Sequence, residues 1–445
     1  MNFLTDQIRP IYFKYLTAAF GSALISSIYG VVDAAMVGQY QGPAGTAALA
    51  VVAPVWNVIY SLGLLTGIGG SVLFSTTRGQ AAGSEKKSNE YFTAAVIGTA
   101  ILALLTWVAV IFFDRQFLTL FGAEETLLPL AQAYMFPVKF VVPSFLFTQL
   151  ISAFLRNDGN PALATKAVIF GGVFNVFGDY FFVFILDMGI MGAGIATAMG
   201  SVFSLIIMLS HFWGKKNTLR LVKPTNLPAK LKAIGATGFS TFFIDVAMGI
   251  LTMIFNRQIL RYLGTDALSV YGIIINISTF VQCCAYSIGQ ASQPIISVNY
   301  GAGEKRRIGE VLKYALGTAV VFGILWTLAA ELIPNVFVRI FMTPTNTILS
   351  IAPGIIRRYG ISFILLPFNI FSTYYFQAIM KPSTAFVVSV GRGAVISGAL
   401  IYLLPAAAGA DSIWFAMPIT ELVIAVYAAA MMARYQNGSR SLPAA

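Results

Sequence analysis

A chain of 445 residues that is 58% hydrophobic and only 10% charged is excluded from the ordinary soluble class, in which about a quarter of residues carry charge. The formal net charge of +11 would suit a nucleic-acid binder, but a membrane protein with basic cytoplasmic loops carries the same excess, so no nucleic-acid partner is needed to explain it. Cys283 and Cys284 are adjacent and cannot form an ordinary disulfide.

Apolar runs of about 20 residues or more, long enough to cross a bilayer as helices, recur along the whole chain. They cover residues 11–37, 46–77, 91–113, 127–154, 162–184, 190–213, 234–260, 267–298, 311–333, 348–378, 384–405 and 412–434. The expected fold is therefore an all-α integral membrane protein of twelve transmembrane helices. The N-terminal MNFLTDQIRPIYFKY has Asp6 among its basic residues and no small-residue cleavage site, so the first span is expected to remain rather than act as a cleaved signal. Most of the 28 Lys and Arg residues, including Arg78, Arg156, Lys166, the run from Lys215 to Lys232, Lys305 to Arg307, Arg434 and Arg440, fall on one set of alternate loops or the termini. Arg115, Arg257, Arg261 and Arg339 lie near the opposite ends. Both termini are thus expected in the cytoplasm, and the chain in the cell membrane as a multi-pass protein.

In chain order, the first span holds one acid, Asp33, and the second contains Gly63, Gly67, Gly69 and Gly70, which suit close helix approach, a bend or a flexible lipid-facing stretch. The fifth span places Asn175 and Asp179 one helical turn apart on one face. A carboxylate facing lipid is costly, so this face is expected to meet protein or water. Thr197 sits in the sixth span. Asp33, Asp179 and Thr197 each lie eight residues from the outer ends near Gln41, Asp187 and Gly189, about 12 Å deep at the rise of an α-helix. Equal depth on three helices is what a shared cation site requires: Asp33, Asn175, Asp179 and Thr197 supply hard oxygen ligands for Na+, or carboxylates close enough to hold H+. No other cofactor is expected. His211, the lone histidine, ends the sixth span far along the chain from any Asp, Ser or Cys constellation, so a metal centre or a Ser-His-Asp triad is not expected.

The polar stretch from Gly214 to Lys232 lies near the midpoint, and the flanking sequences match weakly. Phe117 and Phe121 match Phe337 and Phe341, and Gly83 matches Gly303, at an offset of 220; Pro161 matches Pro382 at 221. The chain therefore divides into an N-terminal six-helix half over 1–213, a cytoplasmic linker over 214–232 and a C-terminal six-helix half over 233–445. The halves are related by a pseudo-twofold axis along the membrane normal. The positions matching Asn175 and Asp179 in the second half are apolar, so the acids are not a packing requirement of the repeat. Asp245 in the seventh span and Glu421 in the twelfth are candidate substrate-binding acids, or else partners for Arg357, Arg358 or Arg392.

The segments VVDAAMVG, RGQAAGSEKK, LRNDGNP, NVFGD, GAGIATA and SQPIISVNYGAGEKRR, in this order and spacing, resemble the multidrug and toxic compound extrusion (MATE) transporters, and QPIISVNYGAG is similar to their branch containing staphylococcal multidrug efflux pumps. The resemblance implies that Asp33, Asn175, Asp179 and Thr197 bind the coupling cation. It also implies a secondary antiporter exporting amphipathic, often cationic drugs or toxins against H+ or Na+ by alternating access. The expected partners are those small substrates and membrane lipid, and the expected state is a monomer. The alternatives are a lipid-linked oligosaccharide flippase, which needs a groove lined by several cations, and a membrane-embedded enzyme, for which no His, Cys or paired-carboxylate centre is evident.

Overall fold

A computed structural model of the protein describes residues 2–80, 84–121, 123, 125–341 and 344–438. Among the described residues, eleven helices are long and apolar enough to cross a membrane, and a bent pair makes a twelfth span. The spans are α1 (Ile8–Gly42), α2 (Ala44–Gln80), α3 (Glu85–Leu120), the bent α4 (Leu128–Phe140 and Val142–Asn157), α5 (Pro161–Ile185) and α6 (Gly189–Trp213). After a polar connection follow α7 (Leu227–Tyr262), α8 (Gly264–Gly301), α9 (Lys305–Leu332), α10 (Asn346–Ala378), α11 (Pro382–Ala408) and α12 (Ala410–Gln436). This is the all-α membrane architecture expected. The linker is shorter than expected, because α7 already begins at Leu227 behind the Asn226 side-chain cap.

Proline and glycine set the breaks. The 58° bend of α4 follows Pro137 inside its first segment and precedes Pro143 at the start of its second. Neither ring supplies a backbone N–H to the helical ladder. Between α1 and α2, Gly42 has φ +64° and ψ −153°, a region open essentially to glycine alone. The left-handed residues recur near the predicted repeat offset: Gly42 and Gly264, Gly159 and Met380, Asp187 and Gly409 all have positive φ. The turn before α5 is repeated before α11 down to its hydrogen bonds, with Asn160 N donating to Leu155 O at 2.8 Å and Lys381 N to Phe376 O at 2.8 Å. Gly83 and Arg440 lie outside the described residues.

The two halves meet along α2, α7 and α8. A Cβ on Gly69 would lie 2.2 Å from Ile234 O, one on Gly238 1.9 Å from Leu65 O, one on Gly79 2.0 Å from Val298 O and one on Gly301 1.9 Å from Thr76 O. The helix backbones touch there, as small residues permit. Gly63 and Gly67 approach Gln149 on α4, and Gly70 approaches Ala95 on α3, so all four α2 glycines serve close packing rather than a lipid face. These inter-half contacts gather near one end of the bundle, where α2 and α8 finish and α7 begins. The same end, here termed the basic face, carries the start of α1: Arg307 donates to the carbonyls of Phe3 and Asp6 at 2.8 and 2.6 Å, and Asn299 to Phe3 at 3.1 Å.

Folding overturns the expectation that His211 is remote from acids. Its Nε2 lies 2.7 Å from Asp158 Oδ2 and its Nδ1 3.1 Å from Asn160 Nδ2. Asp158 also accepts from Arg78 at 3.0 Å, from Thr218 N at 2.9 Å and from the Thr218 hydroxyl. This buried knot ties the linker to the last turn of α2 and to the turn following α4. Cys283 and Cys284 are buried packing residues, and Trp326 Nε1 donates to Cys284 Sγ at 3.5 Å.

Candidate functional site

Four helices of the N-terminal half bring polar side chains together within apolar surroundings. Asn175 Nδ2 on α5 donates to Thr197 Oγ1 on α6 at 3.2 Å. Tyr134 Oη on α4 lies 3.3 Å from Thr197 Oγ1 and donates to Asp33 Oδ2 on α1 at 3.3 Å. Each hydroxyl has one proton to give, so the chain runs from Asn175 through Thr197 and Tyr134 to Asp33. Asp179 is fully buried, and it lies within electrostatic reach of Asp33 and Tyr134.

The backbone allows this convergence. Gly200 on α6 comes close enough that its Cβ would meet Asn175 Cβ at 3.3 Å, and a Cβ on Gly178 would meet Ala196 Cβ at 2.9 Å. α5 passes from α to π geometry over Tyr180–Ile185, one residue after Asp179, and such local widening is common at functional positions.

Both Asp179 carboxylate oxygens, Asp33 Oδ1 and Asn175 Oδ1 are buried and accept no hydrogen bond among the described residues. An unsatisfied buried carboxylate is costly in any low-dielectric setting. The donor set of carboxylate, amide and hydroxyl oxygens suits a proton or a small hard cation, since Asn175 donates one amide proton to Thr197 and its oxygen remains free. Tyr134 was not singled out by sequence reasoning. It lies at nearly the same depth from the start of its span as the other members, and that depth test is the signal that finds it.

The second-half acids divide. Glu421 is fully buried, accepts from Arg392 Nε at 2.7 Å and from Asn369 Nδ2 at 2.6 Å. Of the two alternatives for Glu421, substrate contact and pairing, the geometry is that of pairing. Arg357 and Arg358 reach Glu331 at 4.0 Å and Asp411 at 3.2 Å. Asp245 pairs with no arginine: Tyr286 Oη donates to its Oδ1 at 2.7 Å, and its Oδ2 has no hydrogen-bond partner among the described residues. Asp245 stands two helical turns beyond Gly238, the point at which α7 touches α2, toward the junction of the halves. A cavity of about 50 Å³ lies within the second half, lined by Tyr271, Tyr359 and Arg392 among others, too small for a drug-sized molecule.

A family model described as MatE matches residues 18–181 and again residues 241–403. The multidrug export protein MepA of Staphylococcus saprophyticus is 24% identical over 415 residues, covering 93% of this chain and 90% of that protein. Among solved structures, an outward-facing multidrug resistance MATE family transporter of the MOP superfamily superposes with a TM-score of 0.90 at 18% identity, covering 99% of this chain and 98% of that one. A MOP superfamily transporter from Pyrococcus furiosus, described by the reverse polarity of its binding pocket, gives a TM-score of 0.90 at 17% identity with coverage of 99% and 98%.

Proposed function

The chain belongs to the MatE family, and on that premise we propose that it is a secondary active antiporter. It exports amphipathic, often cationic drugs or toxins in exchange for H+ or Na+ by alternating access. The observation that carries this reading is the Asp179 carboxylate, buried within the membrane-spanning bundle, unpartnered, and beside a second acid and three uncharged polar groups. Keeping such a group costs stability, and binding the coupling cation offsets that cost. The similarity to MepA supports drug export.

By the positive-inside rule the basic face is cytoplasmic, with both termini on that side of the cell membrane. The glycine contacts between α2, α7 and α8 then seal the cytoplasmic side, and the substrate path opens outward. Exchange without ATP requires that cation and substrate favour different facings of the two halves. Asp33, Asn175, Asp179 and Thr197, with Tyr134 between them, hold the cation in the N-terminal half. Asp245, at the junction, meets cationic substrate. The protein works as a monomer surrounded by lipid. Arg357, Arg358 and Arg392 each engage an acid, which argues against the cation-lined groove of a lipid-linked oligosaccharide flippase. No catalytic role is proposed.

Efflux of a fluorescent cation from proteoliposomes, driven by separately imposed pH and sodium gradients, tests the proposal. Either gradient driving efflux supports it and identifies the ion; efflux indifferent to both would contradict it.

A further inference from the structure

The connection between α6 and α7 is not a slack loop. After a turn at Lys215 and Lys216, residues 217–224 run without helix as a strap fastened to the first turns of α3. Asn89 Nδ2 donates to Thr218 O at 3.2 Å, Arg220 N to Asn89 Oδ1 at 2.8 Å, Val222 N to Thr93 Oγ1 at 2.9 Å and Thr225 N to Glu90 Oε2 at 3.0 Å. Beyond the strap, α3 leaves Ile101, Leu104, Leu105 and Phe112 exposed, as a lipid-facing helix does. At 36 residues α3 is roughly 54 Å long, against about 40–45 Å for a whole bilayer. Its first turns, and the strap with them, therefore stand at the level of the lipid headgroups.

The outer side of the strap is apolar and basic together. Trp213 is 84% exposed and Leu221 70%; Lys215, Lys216, Arg220 and Lys223 are exposed beside them, with Lys86 and Lys87 at the start of α3. None of these six cations makes an ion pair with a described residue. Glu90 is taken up by Lys230 and Thr225 and Asp158 by the His211 knot, and Glu85 is the exposed acid in the same stretch. The repeat supplies a control. The chain before α1 is fastened in the same manner, with Arg307 on α9 and Asn299 on α8 holding the Phe3 carbonyl, yet residues 2–7 contain no Lys or Arg. Arg307 lies at the repeat offset of 220 from Lys87, and it is spent on that strap while Lys87 stays at the surface. Fastening a strap thus needs no basic residues on it, and the cations before α7 are an addition.

We propose that the strap and the start of α3 form a binding site for an anionic phospholipid of the leaflet at the basic face. Lys215, Lys216, Arg220 and Lys223, with Lys86 and Lys87, receive the phosphodiester, and Trp213 and Leu221 sit against the upper acyl carbons. Clustered cations next to a membrane span attract anionic headgroups, and an indole settles at the interface, where its ring meets both water and hydrocarbon. A soluble polyanion would satisfy the charges but leave Trp213 and Leu221 in water, so the pairing of the two features selects lipid. The site requires only that the helices span a bilayer, and it is independent of the export reading.

The test is thermal unfolding of the full-length protein in nonionic detergent, titrated with dioctanoyl phosphatidylglycerol, dioctanoyl phosphatidylcholine or glycerol 1-phosphate. Phosphatidylglycerol is expected to raise the melting temperature saturably, as a ligand of the folded state does, and the other two to have little effect. Lys216→Gln with Arg220→Gln is expected to raise the phosphatidylglycerol concentration for half the effect roughly tenfold or more, with a lipid-free melting temperature like that of the parent. Arg306→Gln with Lys313→Gln removes the same charge from exposed positions on α9 and is expected to shift that concentration by no more than about twofold. Equal shifts for the two pairs would show diffuse attraction to a basic face, and no shift for either would show that these cations bind nothing; each result would overturn the site. An effect of glycerol 1-phosphate equal to that of phosphatidylglycerol would overturn the lipid assignment in favour of a soluble anion.

Discussion

Asn157 and Gln293 exchange hydrogen bonds across the junction of the two halves, with Asn157 Nδ2 donating to Gln293 Oε1 at 3.1 Å and Gln293 Nε2 to Asn157 Oδ1 at 3.2 Å. Ser75 Oγ adds a third bond to Asn157 Oδ1 at 2.6 Å. All three residues are fully buried or nearly so. Gln293→Leu removes both bonds and leaves one Asn157 N–H without a partner, while Asn157 keeps Ser75 and the Ala153 carbonyl. The loss of about 1–3 kcal/mol should favour opening at the basic face by roughly tenfold. A Ser297→Cys reporter, with Cys283 and Cys284 replaced by Ala, should then react faster with an impermeant maleimide in inside-out vesicles. An unchanged rate would show that the glycine contacts alone hold this face shut.

Those contacts make their own prediction. A methyl group at Gly238 has the Leu65 carbonyl 1.9 Å away, whereas one at Gly235, on the same helix, has nothing within 4 Å. Gly238→Ala should therefore lower thermal stability in detergent by about 1–3 kcal/mol through overpacking, and Gly235→Ala should leave it unchanged or slightly raise it. Equal melting temperatures for the two variants would mean that the helices separate freely at this point.

The spans were legible because each apolar run exceeds what a bilayer needs, and the breaks fell at Gly42, Gly159 and Gly264, where the backbone turns left-handed. Asp33, Asn175, Asp179 and Thr197 were legible because a polar group deep in an apolar span stands out, and equal depth links them. Tyr134 escaped because a phenol is cheap in a membrane and carries no warning charge. Arg156 was counted with the loop cations because the apolar run ends at 154, whereas the helix continues to Asn157 and buries it. The pairings His211 with Asp158 and Arg392 with Glu421 depend on loop convergence and helix rotation, which chain spacing does not encode.

Glu421 and Arg392 should behave as a structural pair. Removing one charge leaves the other buried and alone, a loss on the order of 3 kcal/mol. Glu421→Gln should therefore lower thermal stability, and Glu421→Leu with Arg392→Leu should recover much of it. If instead Glu421→Gln melts normally but loses affinity for cationic dyes, the acid contacts substrate.

Burial pushes the Asp158 carboxyl up, but the bonds from His211, Thr218 and Arg78 outweigh burial and hold it below the usual carboxylate range. A group depressed in the folded state adds stability above its unfolded pKa, about 3.9, and that stability is lost as pH falls through the lower folded value. Melting at neutral pH should drop in Asp158→Asn, and the variant should lack this portion of the acid-dependent loss seen in the parent below about pH 4. Parallel acid profiles for parent and variant would place the acid sensitivity elsewhere.

The central claim is that the unpartnered Asp179 carboxylate couples cation entry to export. Its most direct test compares Asp179→Asn with the parent in proteoliposomes, measuring gradient-driven efflux of a fluorescent cation alongside equilibrium binding of the same dye. The account predicts that efflux is abolished while dye binding partly survives, because the substitution removes the coupling charge from the N-terminal half without altering Asp245. Normal gradient-driven efflux by Asp179→Asn would contradict it.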